Sequence, residues 1–440
     1  MKYPIGLSII LNALAAISIL SGCSDYLDRE YDSFIDNEMT FTSYERTSKF
    51  LVNAYRYLPD GFNRIGSEAM LDAATDDAEH ANASCNIQHF NTEAWNSRSN
   101  PDDLWNKYYA GIRIANEFIE NVDRVNLDKY RLDPDNQNEY QNRLNDLKTW
   151  KYEARFLRAF FHFELVKRFG PVPVITSTLS VNADYSETPR PSMDDCISFI
   201  SSECDKVAEV LDLTPGRGID SDLGRATKGA ALALKSRVLL YAASPLYLDW
   251  QNFSESDLPS DMEKWKAAAQ AAKDVIDLGI YSLYGSYATL FKNNFQNSEF
   301  ILMRRYGNNS DFEKYNFPVS YGGVGGINPS LNLVDSYEMK DGSYFSWENE
   351  ENAVRPQFYR DDRLNATILL NDSVWKSTAV ENWDGGKDGL GVTNATKTGF
   401  YLKKYLNEDV NIQTGGGRNA QDTATPQQAE ADRQSCTEYP

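Results

Sequence analysis

The chain has 440 residues, 41% of them hydrophobic, and a formal net charge of −20 from 64 acidic against 44 basic side chains. That is enough apolar material for one large domain or two, while so negative a surface excludes phosphate backbones and anionic headgroups as partners. Neutral ligands stay open, and an aromatic content of 12%, with 26 Tyr and 8 Trp, offers them flat faces.

Residues 1–22 read as a cleaved leader. Lys2 precedes an apolar run from Pro4 to Leu20 that is too short and too lightly flanked by charge for a membrane span. The run closes on Leu20-Ser21-Gly22-Cys23, the pattern of a bacterial lipobox, so cleavage leaves Cys23 as a first residue whose thiol and amine take acyl chains. More than one chain makes a lasting anchor, and the mature protein is expected to be tethered to a membrane, not embedded in it. Residues 23–40 then form a lipidated polar tether. Residues 41–413 are expected to form a single domain, mostly α, with the helical scaffold mainly over 41–284 and a loop-rich part with short strands mainly over 285–413.

The first confident helix has Asp102 and Asp103 in its first turn and an apolar stripe of Trp105, Tyr108, Ile112, Ala115, Ile119 and Val122. Glu153 to Phe169 is apolar on more than one side, with Phe156, Phe160 and Phe163 on one line and Leu157, Phe161 and Leu165 on another, which predicts a central buried helix ended by Gly170-Pro171. Ser192 with Asp195 is a capping box for a third helix that carries Ile197, Ile200, Cys204 and Val207. A fourth runs from Arg225 to Ala243, rich in small residues that let a neighbour approach, and Ser244-Pro245 stops it. The fifth takes Trp265, Ala268, Ala269, Ala272, Val275 and Ile276, with Gly279 placed for a left-handed cap. Paired helices with small residues at the crossings predict a tetratricopeptide-like array, its spacing more variable than the usual ~34 residues. From Phe317 to Trp383 the periodicity fades into Gly, Asn, Asp and aromatics, which predicts long ordered loops with short strands, the Gly322–Gly326 stretch a flexible turn.

Of the cysteines, Cys196 and Cys204 fall about 12 Å apart along one helix, too far for a disulfide, so buried thiols are expected. There is no CxxC pair and there are only 3 histidines, so neither a metal site nor a cofactor is expected. His162, within an aromatic helix, reads as a satisfied core imidazole.

Several segments together resemble the RagB/SusD family of nutrient-uptake outer-membrane lipoproteins. They are the lipobox, LWNKYYAGIRIANEFIENV (104–122), EARFLRAFFHFELVKRFGPVPVI (153–175), GRATKGAALALKSRVLLYAASPLY (224–247), WKAAAQAAKDVIDLGIYSLY (265–284), NLVDSYEMKDG (332–342) and TGFYLKKYL (398–406). The resemblance implies a tetratricopeptide-like scaffold, a less regular ligand-binding half, an oligosaccharide ligand, and a TonB-dependent, SusC-like transporter barrel on which the lipoprotein sits as a lid. Members of the family usually continue past TGFYLKKYL into a further buried helix, whereas residues 414–440 here are polar and without periodicity, which reads as a disordered or aberrant tail of a truncated product with uncovered apolar surface and poor solubility.

Glycan capture needs aromatic faces against sugar C–H faces, and amides or carboxylates for hydroxyl pairs. By the same family analogy two regions border the ligand site: Asp76, Asp77, Asn91, Trp95 and Arg98 before the Trp105 helix, and Tyr306, Tyr315, Phe317 and Tyr321, interleaved with Asn308, Asn309 and Asn316. Trp347, Trp375 and Trp383 are read as structural packing. Asp76-Asp77 and Asp361-Asp362 are poor glycosidase pairs, because adjacent residues rarely face one substrate. Asp384 to Gly389 has too few oxygen ligands in step for a calcium loop. The expected protein is therefore a non-catalytic surface lipoprotein that binds oligosaccharides, with a secreted glycoside hydrolase or a helical-repeat adhesin or scaffold as the alternatives.

Overall fold

Among the described residues, six helices of twelve residues or more build the scaffold: α1 (Tyr44–Tyr55), α2 (Trp105–Asn121), α3 (Gln137–Phe169), α4 (Met193–Ala208), α5 (Lys228–Ala243) and α6 (Met262–Ile276). The structure, a computed structural model, describes residues 37–412 except 60, 62–63, 66–68, 181, 183, 186–187, 216–221, 248–261, 292–296 and 305–309. The leader, Cys23, most of the tether, Tyr306, Asn308, Asn309 and the 414–440 tail lie outside the described residues.

From α2 onward each long helix packs on the next in sequence, α2 on α3, α3 on α4, α4 on α5 and α5 on α6, which is the antiparallel succession of a tetratricopeptide-like array. The central member is α3, 33 residues long, with Phe156, Leu157, Phe161, Phe163 and Leu165 buried on all sides. Its first half, Gln137–Tyr152, extends the helix ahead of the Glu153 start expected from the sequence, on a sparser apolar line of Tyr140, Leu147 and Trp150 that packs into the core. Gly170, at φ +69, ends it. The Ser192–Asp195 capping box of α4 is present. Two starts move inward: α2 begins at Trp105, where Asp103 accepts from the Trp105 N–H at 3.2 Å while Asp102 accepts from Arg168, and α5 begins at Lys228, where the Thr227 hydroxyl caps Ala230 N–H. The helical turn Asn37–Phe41 occupies the edge of the expected tether, and Phe41 is fully buried beside Phe118. On α6 the buried line runs through Ala268 and Ala271, so of the expected stripe only Ala268 is buried, while Ala269 is exposed and Ile276 is 70% exposed.

Small residues set the spacing between helices. A Cβ on Gly111 of α2 would stand 2.7 Å from the Phe161 ring of α3, and one on Gly229 of α5 would stand 1.9 Å from the Tyr281 hydroxyl. Three acidic residues sealed in the helical scaffold, Glu153, Glu164 and Glu203, are matched by cations. Glu203 of α4 accepts from Arg155 at 2.6 Å and Arg158 at 2.8 Å. Glu153 accepts from Arg225 and Tyr55, and Glu164 from Arg168 and Lys167. His162 is held between the Arg158 carbonyl, 2.8 Å from Nδ1, and the Ile175 N–H, which donates to Nε2 at 3.2 Å. Burial lowers its pKa to about 4, so it stays neutral as the core reading requires. Cys85, Cys196 and Cys204 are buried and in no disulfide.

A second hydrophobic cluster holds the irregular part, and it does not follow a single cut in the chain. It joins Ala69, Met70, Ala73, Ala78, Cys85 and Ile87 to Leu290, Phe317, Ile327, Trp375, Tyr401 and Leu406. Four short antiparallel pairs lie in or beside it: β1 (Arg64–Ile65) with β2 (Ala69–Met70), β3 (Ala78–His80) with β4 (Ile327–Pro329), β5 (Ile368–Leu369) with β8 (Tyr401–Leu402), and β6 (Val374–Trp375) with β7 (Thr378–Ala379). The expected flexible turn Gly322–Gly326 is instead tightly packed: a Cβ on Gly323 would stand 2.1 Å from the Phe317 carbonyl oxygen, and Gly325 and Gly326 are buried. No helix among the described residues is long and apolar enough to cross a membrane.

Candidate ligand-binding site

β3, inside the first region read from the sequence, pairs with β4, which follows the second region in the chain. Ala78 pairs with Pro329 and His80 with Ile327, and the ladder is extended by Ser330 N–H to the Asp77 carbonyl at 2.8 Å and Ala81 N–H to the Gly326 carbonyl at 2.8 Å. Asp76 and Asp77 are therefore fixed through their backbones, with exposed carboxylates. Asp77 reaches the wall of a cleft of about 750 Å³, within the range of small-ligand sites.

Four parts of the chain build that cleft. Met70, Asp72 and Asp77 come from the segment entering β3, Leu283 and Tyr287 from the stretch after α6, Leu333, Tyr337, Glu338 and Arg363 from the loop-rich half, and Leu402, Lys404 and Tyr405 from β8 and the turn after it. The Lys404 ammonium lies 5.4, 5.0 and 5.1 Å from the ring centroids of Tyr287, Phe291 and Tyr405. Those faces orient it by cation–π attraction. Arg363 grips Asp361 through two hydrogen bonds of 3.0 and 2.8 Å and approaches Glu338 at 3.8 Å. The hydrogen bond from Arg363 holds the Asp361 carboxyl below its ordinary range. Burial raises the Tyr337 hydroxyl, which stays protonated and able to donate. Rings beside planar charged groups suit the two faces of a saccharide, its C–H surface and its hydroxyls.

Trp95 stands on the neighbouring loop. A helical turn, Gln88–Asn91, leads into it, and the Asn91 amide donates to the Ala73 carbonyl at 2.9 Å, tying the turn to the residue that follows Asp72 of the cleft wall. Asn91 is thus engaged in holding the loop. The N–H groups of Ala94 and Trp95 both donate to the His89 carbonyl, at 2.9 and 3.2 Å. The Trp95 ring, 50% exposed, leans on Phe90 with centroids 5.7 Å apart. Arg98 is exposed on a tight bridge between Asn96 and Ser99.

The second predicted group divides. Phe317 is fully buried, with its ring 5.8 Å from Trp375 and under the Lys376 ammonium at 4.7 Å, so it serves the core. Tyr315 is half-buried. Tyr321 is half-buried too and donates its hydroxyl to the Thr378 carbonyl at 3.0 Å. Asn316 is buried, its amide closing on Phe312 and Ile327. Of the three tryptophans read as packing, Trp375 is fully buried but Trp347 and Trp383 are about half exposed, at 46% and 54%, because their loops run over the surface. Tyr337 and Lys404 lie inside the segments 332–342 and 398–406, yet nothing in their local spacing distinguishes them from packing residues.

The other acidic candidates have structural employment. Asp361 caps the helical turn Asp362–Thr367, and Asp388 accepts from the Ser320 backbone and hydroxyl, both at 2.8 Å. Among the described residues no group of three or more His, Cys, Asp or Glu is placed to hold a metal ion.

A family model described as "Starch-binding associating with outer membrane", SusD-like, matches residues 25–240, and the SusD family model matches residues 289–425. No curated protein matches the chain. Among solved structures, a SusD-like carbohydrate-binding protein from Bacteroides fragilis is 22% identical, with a TM-score of 0.66 over 88% of this chain and 71% of its own. A laminarin-binding SusD-like protein is 19% identical, with a TM-score of 0.61 over 91% and 81%. Surface glycan-binding protein A from Bacteroides uniformis is 20% identical, with a TM-score of 0.55 over 85% and 71%.

Proposed function

The chain belongs to the SusD/RagB family, and from that premise we propose that it captures oligosaccharides at the cell surface and passes them to a TonB-dependent transporter. The reading includes a lipid anchor on Cys23 in the outer membrane and no covalent chemistry. The observation that carries it is the Trp95 loop: an exposed indole on a backbone held by the His89 carbonyl, after a turn bonded to the carbonyl of Ala73, the residue next to Asp72 of the cleft wall. Solved relatives described as carbohydrate-binding and laminarin-binding support the ligand class. Trp95, Arg98, Asp77, Tyr287, Tyr337 and Lys404 are the residues we assign to ligand contact.

Calorimetry against a panel of neutral oligosaccharides, with Trp95→Ala beside the wild type, tests the assignment. Binding by the wild type and weakened binding by the variant are expected; undiminished affinity removes Trp95 from the site. A reducing-sugar assay on the same panel should show no release, and release would favour a hydrolase. Labelling of the protein in cells with a fatty-acid analogue, lost in Cys23→Ser, tests the anchor.

A further inference from the structure

The loop between Met339 and Arg360 carries aromatic side chains that neither the core nor the cleft uses. Tyr344 is 87% exposed, Trp347 46%, Phe358 52% and Tyr359 69%. Soluble proteins rarely leave so many large rings bare together without a use for them. The loop is closed at its base by the Met339–Arg360 bridge and the Lys340 N–H to Tyr359 carbonyl bond.

Phe345 and Trp347 are held from beneath, and Tyr344, between Ser343 and Phe345, stands out beside them. Arg360 is buried and donates to the carbonyls of Val334, Tyr337 and Pro356, and its guanidinium lies 4.0 Å from the centre of the Phe345 ring. Phe345 in turn meets Trp347 edge-on at 5.1 Å, and the Trp347 indole N–H donates to Asp335 at 2.7 Å, which fixes the ring plane. Tyr359 is kept at φ +57, a left-handed backbone that a tyrosine rarely adopts. Rings fixed before binding cost little ordering entropy when a ligand arrives.

The surroundings set the kind of ligand. Asp335 accepts from the Trp347 indole, and the loop itself carries Asp341, Glu348, Glu350 and Glu351, while Lys340 is paired with Asp362 at 3.3 Å and Arg355 lies over Phe358. Carboxylates accept from hydroxyls and repel anions. We propose that this loop is a second saccharide-stacking surface, separate from the cleft and the Trp95 loop, that takes uncharged sugar rings and rejects uronate or sulfated ones. The inference rests on the glycan reading above.

Affinity electrophoresis through gels holding laminarin, xylan, starch or dextran, with polygalacturonate as the charged counterpart, separates the possibilities. On any neutral polysaccharide that retards the wild type, Tyr344→Ala with Trp347→Ala should raise the apparent Kd about three- to tenfold. Trp347→Phe, which keeps a ring but gives up the bond to Asp335, should lose less affinity than the double variant, and adding Trp95→Ala to the double variant should abolish retardation. Circular dichroism melting serves as the folding control, and Tyr344→Ala alone, at a side chain this exposed, is the fallback variant. A double variant that matches the wild type on every retarding neutral polysaccharide overturns the second surface and leaves the proposed function standing, as does loop-dependent binding to polygalacturonate. Unchanged retardation with lost co-purification of a transporter would overturn it in favour of a protein interface. A wild type retarded by no glycan overturns both readings.

Discussion

Glu203 and Arg158 meet 2.8 Å apart inside the scaffold and join α4 to α3 where neither charge reaches water freely. Burial alone would push the Glu203 carboxyl up, but hydrogen bonds from Arg155 and Arg158 outweigh it and hold the pKa at about 2. Glu203→Ala leaves two guanidinium groups unmatched and should cost about 3–5 kcal/mol in urea unfolding. Replacing Glu203 and Arg158 together by leucine should recover part of that loss; no recovery would mean the pair's attraction outweighs its desolvation.

Acid should destabilise the protein in two stages. His162 is kept neutral in the fold, at a pKa of about 4, while the unfolded chain's imidazole takes a proton near pH 6.5. Stability contributed by the neutral ring is therefore present above about pH 6.5 and is lost as pH falls toward 4. Glu203 and Glu164, both held at about 2, add a second loss as pH falls from about 4.5 through 2. Melting temperature followed from pH 8 to 3 should show both stages, and His162→Gln should flatten the first only.

Gly111→Ala sets two effects against each other. Alanine gains about 1 kcal/mol of helix propensity over glycine. Its methyl would stand 2.7 Å from the Phe161 ring, which is itself fully buried, and overpacking of this kind costs about 1–3 kcal/mol. We expect the clash to win, with a net loss near 1 kcal/mol and a lower urea midpoint; a stabilised variant would show that α2 and α3 can separate cheaply.

The scaffold was largely legible in the sequence because its signals are local. The Ser192–Asp195 box, the Phe and Leu lines of α3 and the Gly170 stop each act within a few residues. The first half of α3 was missed although Tyr140, Leu147 and Trp150 recur there at helical spacing, because the many polar residues between them dilute the stripe. The cleft was legible only at Asp77: its walls come from four distant segments, and no local period marks Tyr287 or Lys404. Phe317 and Trp347 show the same limit in opposite directions, one ring buried and the other bare, with nothing in their neighbours' spacing to tell them apart.

Trp375→Ala should be among the costliest single changes. The indole is fully buried between Phe317 and the second cluster, and deleting such a ring costs about 3–5 kcal/mol through lost burial and the cavity left behind. Because that cluster includes residues on both sides of the cleft, ligand affinity should fall with stability. Trp383→Ala, at a half-exposed ring, should cost under about 1 kcal/mol in the same assay.

Trp95→Ala should weaken oligosaccharide binding about three- to tenfold, the worth of one stacked ring, without moving the melting temperature. A shift in melting temperature of several degrees would instead assign the indole to loop packing on Phe90.

The partnership of β3 with β4 places a demand on chain synthesis. Ser330 must find Asp76 across 254 residues of sequence, so at about 5–20 residues per second roughly 13–50 s separate the emergence of the two. During that interval the helices from α1 to α5 can dock in order as they appear, yet Ala69, Ala78 and Ile87 wait with no counterpart. A ribosome paused before Ile327 would hold out a finished helical array with an open apolar seam, the form of this polypeptide most in need of a chaperone.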